Sequence, residues 1–191
     1  MERFIEKFIR YMEIEKNYSR HTIVNYGLDL EEFQLFLGDR PIETVDYLGV
    51  RKYLAVLKEK NADPRTVSRK LSSLLSFFKF LTREGFVKAN PTVAVASPKL
   101  DKHLPVFLTE EVVTRLIEAS IPKDAAGLRD RAVLELFYST GIRISELVGM
   151  NMDDLDLIGG IAKVRGKGKK ERLVPVGDTA LAAVRAYLAR R

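Results

Sequence analysis

The sequence predicts a mainly α protein in two parts: a four-helix amino-terminal domain, then an α+β domain whose strands form a small antiparallel hairpin. Three observations predict it. Apolar residues recur at helical spacing up to about residue 88, an aperiodic stretch with several prolines follows, and two further helical segments then lead into short apolar runs around a glycine-rich turn. At 191 residues, 46% hydrophobic and 30% charged, the chain suits one ordinary core or two small ones and excludes a membrane protein.

The elements follow in order. Phe4, Phe8, Tyr11 and Met12 set the first apolar stripe, and Asn17-Tyr18 interrupts it. Ser19 caps a second helix carrying Ile23, Tyr26, Leu30, Phe33 and Leu37, which Gly38-Asp39-Arg40-Pro41 ends. A third helix is expected from about Val45 to Lys60 on Leu48, Val50, Leu54 and Leu57. Asp63-Pro64 starts the fourth, with Asp at the cap and Pro at the first helical position, and Gly85 closes it. Asn90-Pro91, Ser97-Pro98 and Leu104-Pro105 mark an extended linker, so the expected division is a helical domain over 1–88, a linker over 89–107 and a second domain over 108–191. In that domain Thr109-Glu110-Glu111 opens a helix through Ala119, and Leu128 to Tyr138 forms another with Leu134, Phe137 and Tyr138 facing a core. Ile161 to Arg165 and Glu171 to Val176 flank Gly166-Lys167-Gly168-Lys169 as a two-stranded hairpin, and Asp178 caps a last helix through Tyr187.

Composition narrows the function. With no cysteine and only His21 and His103, disulfides and thiolate or His-rich metal sites are excluded, so neither a metal nor a cofactor is expected. No apolar run approaches a membrane span, and the charged first twenty residues do not form a signal peptide, which points to a cytoplasmic protein. The net charge of +6 and a pI near 9.5 favour a polyanionic partner. The placement of charge says more. On the fourth helix Val67, Leu71, Leu74, Phe78 and Leu81 form the buried stripe, while Arg65, Arg69, Ser72, Ser76, Lys79 and Arg83 line another face without one acid. Cations and hydroxyls so arranged suit a DNA backbone, although such a stripe is equally a solvated helix face. Around the hairpin, Lys163, Arg165, Lys167, Lys169, Lys170 and Arg172 meet a single acid, Glu171. By composition that loop is a phosphate-contacting one, and it lacks the spacing of a nucleotide-binding P-loop.

Thr140-Gly141-Ile142-Arg143-Ile144-Ser145-Glu146-Leu147 is the sharpest local feature. Gly141 breaks one helix and another starts near Ile144, placing Arg143 at a helix amino terminus where backbone amides favour an anion. Its guanidinium can clamp a phosphate there, with Glu146 one turn on to orient it; the plainer alternative is a surface arginine paired with Glu146.

Together with Asp153-Asp154-Leu155-Asp156 and Gly166-Lys167-Gly168-Lys169-Lys170-Glu171-Arg172-Leu173-Val174-Pro175-Val176, this motif resembles the Xer-type tyrosine recombinases of the phage integrase family. Ser19-Arg20-His21-Thr22 with Tyr26, the basic fourth helix, and Asn90-Pro91 leading to Ser97-Pro98-Lys99-Leu100 are similar to that family's DNA-clamping, SAM-like domain and its linker. The resemblance implies double-stranded DNA as partner, DNA contacts from Arg20, His21 and Thr22, and a homo- or hetero-tetramer of the full-length protein on paired sites, the fragment alone being monomeric without DNA. In the family a tyrosine attacks a DNA phosphodiester to form a 3′-phosphotyrosyl intermediate, two arginines and a histidine stabilise the charge, and a hairpin lysine protonates the departing 5′ oxygen. Carried over, Arg143 is the first arginine, Glu146 its supporting carboxylate and Lys167 the proton donor, with Lys169 or Lys170 open as the donor instead. Lys163, Arg165 and Lys169 would lower the Lys167 pKa toward a useful range.

The family's His-x-x-Arg motif and nucleophilic tyrosine belong downstream of the hairpin helix, where this sequence has no histidine; it has no tryptophan at all. Tyr138 and Tyr187 read as core residues. The expectation is therefore a fragment or truncation of a longer recombinase that binds DNA and does not cleave it, with a second domain less stable than the first. The competing readings are, from another class, a naturally short DNA-binding protein or regulator that occupies recombination sites without cutting and, third, a transcription regulator with a basic hairpin.

Overall fold

The computed structural model describes residues 1–101, 104–119, 124–166 and 170–191. The chain divides into two compact units, Met1–His103 and Leu104–Arg191.

The first unit is built on α1 (Glu2–Ile14), α2 (Arg20–Leu37), α3 (Tyr47–Glu59) and α4 (Pro64–Arg83). Ser19 caps α2 by accepting the Thr22 amide, and Asp63 caps α4 by accepting the Arg65 amide at 2.7 Å. The third helix starts two residues later than expected, because a 3-10 turn at Ile42–Thr44 intervenes and Asp46 takes the cap, accepting the Gly49 amide at 2.8 Å. α4 packs against the other three helices. Its expected stripe of Val67, Leu71, Leu74, Phe78 and Leu81 is buried, and Phe77 and Phe80 widen it. Aromatic contacts dominate this core: Phe8 meets Phe77 edge-on with centroids 5.3 Å apart, and Phe33 meets Tyr53 likewise at 5.0 Å.

The stretch after α4 differs in part from an extended linker. Asn90 Oδ1 accepts the Thr92 amide at 2.9 Å, Thr92 is buried, Val95 packs on the aromatic core and the Ser97 hydroxyl lies 3.0 Å from that of Ser68. Residues 90–97 thus fasten back onto the first unit at Thr92, Val95 and Ser97, since an Asx turn and one apolar side chain can anchor a short, largely exposed segment without regular structure.

The second unit holds α5 (Glu110–Ala119), α6 (Ala125–Thr140), α7 (Ile144–Val148), β1 (Leu155–Asp156), β2 (Ile161–Arg165), β3 (Glu171–Pro175) and α8 (Asp178–Leu188). The expected hairpin is present but is part of a three-stranded antiparallel sheet in the order β1-β2-β3. Asp156, whose Oδ1 accepts the Ile158 and Gly159 amides at 2.9 and 2.8 Å, shapes the turn that brings β2 alongside β1. α6 is longer than its apolar pattern indicated, because Asp124 caps it through the Gly127 amide at 2.8 Å. Asp178 is the first residue of α8, and Gly177 holds the cap position. The core is small and aliphatic: Ala132 and Leu136 of α6, Ala162 and Val164 of β2, and Ala180, Leu181 and Val184 of α8. Tyr187 packs against it, but Tyr138 is 53% exposed, against expectation. It lies two residues beyond Leu136, which a helix turns to a different side.

Candidate nucleic-acid interface

In the first unit Arg20 and His21 are exposed at the start of α2, and the Thr22 hydroxyl lies 2.9 Å from that of the capping Ser19. α4 presents Arg65, Arg69, Ser72, Lys79 and Arg83 as exposed residues along one face, with Ser76 half-buried among them. These cations are not equivalent. Arg83 donates through Nε and Nη2 to Glu84 at 2.9 and 2.8 Å, lies 3.6 Å from Glu15, and covers the Tyr11 ring at 4.2 Å. Arg69 donates to Asp29, which is 2% exposed and also accepts from the Ser73 hydroxyl at 2.7 Å and from Lys70 Nζ at 3.4 Å. Ser72 hydrogen-bonds back to the Ser68 carbonyl at 2.9 Å. Arg65 and Lys79 make no ion pair among the described residues.

The Asp29 network was missed from sequence, and a signal for it existed. Asp29 falls three residues after Tyr26 and four before Phe33, on the apolar stripe itself, where a carboxylate needs partners from a neighbouring helix. Lys70 supplies one and bridges onward to Glu32.

In the second unit Gly141 adopts a left-handed conformation, φ 59°, and ends α6; Arg143 then occupies the cap position of α7, as the motif suggested. One expectation needs correction. The Arg143 amide is not free for an external anion, because Glu146 Oε2 accepts it at 2.8 Å. Glu146 is nearly buried and collects two guanidinium groups: Arg143 Nη1 at 3.1 Å from Oε1, and Arg172 Nη1 and Nη2 at 2.9 and 2.8 Å from Oε1 and Oε2. The hydrogen bonds from Arg172, then those from the Arg143 amide and side chain, hold its carboxyl down to about 2.

The hairpin's charge is more balanced than its composition indicated. Pairing of Val164 with Arg172 and of Arg165 with Glu171 puts Arg172 on the face shared with Val164, and Arg165 with Glu171 on the other. Arg165 donates to both oxygens of buried Asp154 at 3.2 and 2.9 Å and to Glu171 at 3.2 Å, and Lys163 lies 3.7 Å from Glu171. Asp154, accepting the Asn151 amide and flanked by Arg165 and Lys163, has its pKa lowered. Of the expected phosphate contacts, Lys163, Arg165 and Arg172 therefore share their charge with acids, while Lys170 is exposed. Lys167 and Lys169 lie outside the described residues. The root of their turn is described: Gly166 donates to the Lys170 carbonyl at 2.8 Å, and a Cβ at Gly166 would sit 3.5 Å from Glu146 Oε1. Arg143 and Arg172 of the hairpin strand β3 thus meet at one carboxylate, with Gly166 beside it. Among the described residues no cluster of acids and histidines has the arrangement of a metal site, and no helix is long and apolar enough to cross a membrane.

Two helical units, the second closed by a three-stranded sheet with an arginine at a helix start beside the hairpin, define the class. Residues 5–85 match the phage integrase N-terminal SAM-like domain, and residues 106–191 match the phage integrase family. Tyrosine recombinase XerC of Syntrophus aciditrophicus (strain SB) is 42% identical over 201 residues, covering 100% of this chain and 65% of the relative. The chain belongs to the phage integrase family of tyrosine recombinases. It spans a little under two thirds of the length of the curated relatives it matches first. The fold is that of the Tn1549 transposon integrase in complex with circular intermediate DNA, at a TM-score of 0.77 and 20% identity over 98% of this chain and 65% of that one. It is also that of a lambda integrase tetramer bound to a Holliday junction, at a TM-score of 0.74 and 19% identity over 98% of this chain and 55% of that one.

Proposed function

We propose that this chain binds double-stranded DNA and forms the DNA-clamping and phosphate-holding part of a site-specific tyrosine recombinase. The observation that carries the reading is the meeting of Arg143 and the hairpin-strand residue Arg172 at Glu146, with the hairpin root Gly166 beside it. In this reading Arg143, whose side chain is 74% exposed, holds the scissile phosphate while Glu146 keeps its base in place. A phosphodiester under attack gains negative charge on its non-bridging oxygens, and a guanidinium already in position stabilises that state more than the substrate. Lys167, or Lys169 or Lys170, gives a proton to the departing 5′ oxygen as the bond from phosphorus to that oxygen breaks. Arg20, His21, Thr22, Arg65, Ser72, Ser76 and Lys79 contact the duplex from the first unit. Arg69, Arg83, Lys163, Arg165 and Arg172, whose charge is shared with acids, add less.

In the family the attacking tyrosine lies downstream of the hairpin, where the one tyrosine of this sequence is Tyr187. Tyr187 packs into the second core, and the sequence has no histidine beyond Arg143 to accompany a nucleophile. These 191 residues should therefore bind DNA without cutting it, and assembly into a tetramer on paired sites is proposed for the longer recombinase. The test titrates a fluorescently labelled duplex with the chain, then incubates the chain with a nicked suicide duplex. Salt-sensitive binding and no covalent protein–DNA band are expected. Absence of binding at low salt overturns the DNA reading, and a covalent band overturns the claim that the chain does not cleave.

A further inference from the structure

The cluster on Glu146 is asymmetric. Arg172 reaches it from β3 with two parallel hydrogen bonds, at 2.9 and 2.8 Å, one to each oxygen. Arg143 reaches it from the preceding turn with a single side-chain bond at 3.1 Å. The Glu146 side chain is 4% exposed, so its charge must be matched by protein donors rather than by water. With Arg172 removed, the guanidinium left in contact with Glu146 is that of Arg143, three residues before it at the cap of the same short helix.

We infer that Arg172 is a positioning residue for Arg143: by taking both oxygens of Glu146 from the strand side, it leaves the Arg143 guanidinium facing outward for a phosphate. The sheet makes this possible. Pairing of Arg172 with Val164 fixes its Cα on the side of the sheet toward α7, which packs against β2. The hairpin root lies beside the clamp: a Cβ at Gly166 would meet Arg172 Nη1 at 3.4 Å, an ordinary contact. Lysine at 172 could not replace the fork, because an ammonium offers a point charge rather than two parallel donors.

The inference rests on the reading of Arg143 as a phosphate clamp, and the test separates the two. Arg143→Ala is measured in three backgrounds of the 191-residue chain, with duplex affinity and its salt slope as readouts. In the parent, Arg143→Ala should weaken binding on the order of tenfold and reduce the slope by about 0.9, one phosphate contact. In Arg172→Met the same change should cost less than about twofold, because Glu146 has already drawn Arg143 inward. In Arg172→Met with Glu146→Gln, where no buried charge remains to capture it, Arg143→Ala should again cost about tenfold. An unchanged tenfold cost in Arg172→Met overturns the positioning role and leaves the clamp reading intact. If the cost vanishes in both altered backgrounds, Arg172 merely maintains the fold and the inference fails. No cost in the parent overturns the clamp reading itself.

Discussion

Arg65 and Lys79 offer the clearest quantitative test of the α4 face, because the structure separates them from the paired cations of the same stripe. Each phosphate neutralised on a duplex releases counterions, so log K falls with log salt by about 0.9 per contact. Replacing Arg65 and Lys79 together by alanine should therefore flatten the slope by about 1.8. Between roughly 50 and 200 mM salt, a fourfold change, the parent should lose about twelvefold more affinity than the double variant. Arg83→Ala is the comparison: its guanidinium is already held by Glu84 and faces Glu15, so its loss should flatten the slope by well under half of what Arg65→Ala does. Fluorescence anisotropy titrations of one labelled duplex at several salt concentrations measure all three. Equal slopes in the parent and the double variant, or an Arg83→Ala effect as large as that of Arg65→Ala, would refute the argument that intramolecular pairing decides which stripe residues meet phosphate.

Other outcomes follow from buried polar groups. Asp29→Ala leaves Lys70 and Ser73 without their buried partner and should cost the first unit about 3–5 kcal/mol, lowering its melting temperature by more than roughly 12 °C in thermal circular dichroism. The Tyr53 hydroxyl is buried without a hydrogen-bond partner among the described residues, so Tyr53→Phe should raise the same melting temperature, by an amount corresponding to about 1 kcal/mol. Glu146 titrates at about 2 in the folded protein against 4.5 for the free group, so its contribution to the second unit is complete above 4.5 and lost as pH falls toward 2; amide exchange of β2 and β3 across that window should show it, and Arg172→Met should move the loss to higher pH. Limited proteolysis should open the second unit first, because its core lacks the buried aromatic rings of the first among the described residues and leaves Ile144, Val148 and Leu173 largely exposed; equal cleavage rates in both units would contradict this.

Local rules made the helices legible in advance. Ser19, Asp63-Pro64 and Gly141 each act within one turn of their own position, so capping and left-handed backbone are written where they occur, and the stripe of α4 follows from the helical period alone. The same local logic placed Arg143 at the start of α7. Pairing was another matter. That Asp29 would sit beneath Arg69, that Arg165 would be claimed by Asp154, and that Arg172 would turn inward to Glu146 depend on helices and strands distant in sequence coming together. Charge composition described the hairpin as a cluster of free cations; strand register, with its period of two, sent Arg172 to one face and Arg165 to the other, where buried carboxylates were waiting. The sequence by itself thus determined which segments are helical and which residues are cationic. Only the tertiary structure decided which cations remain unpaired, because a buried carboxylate binds the guanidinium that the fold brings to it.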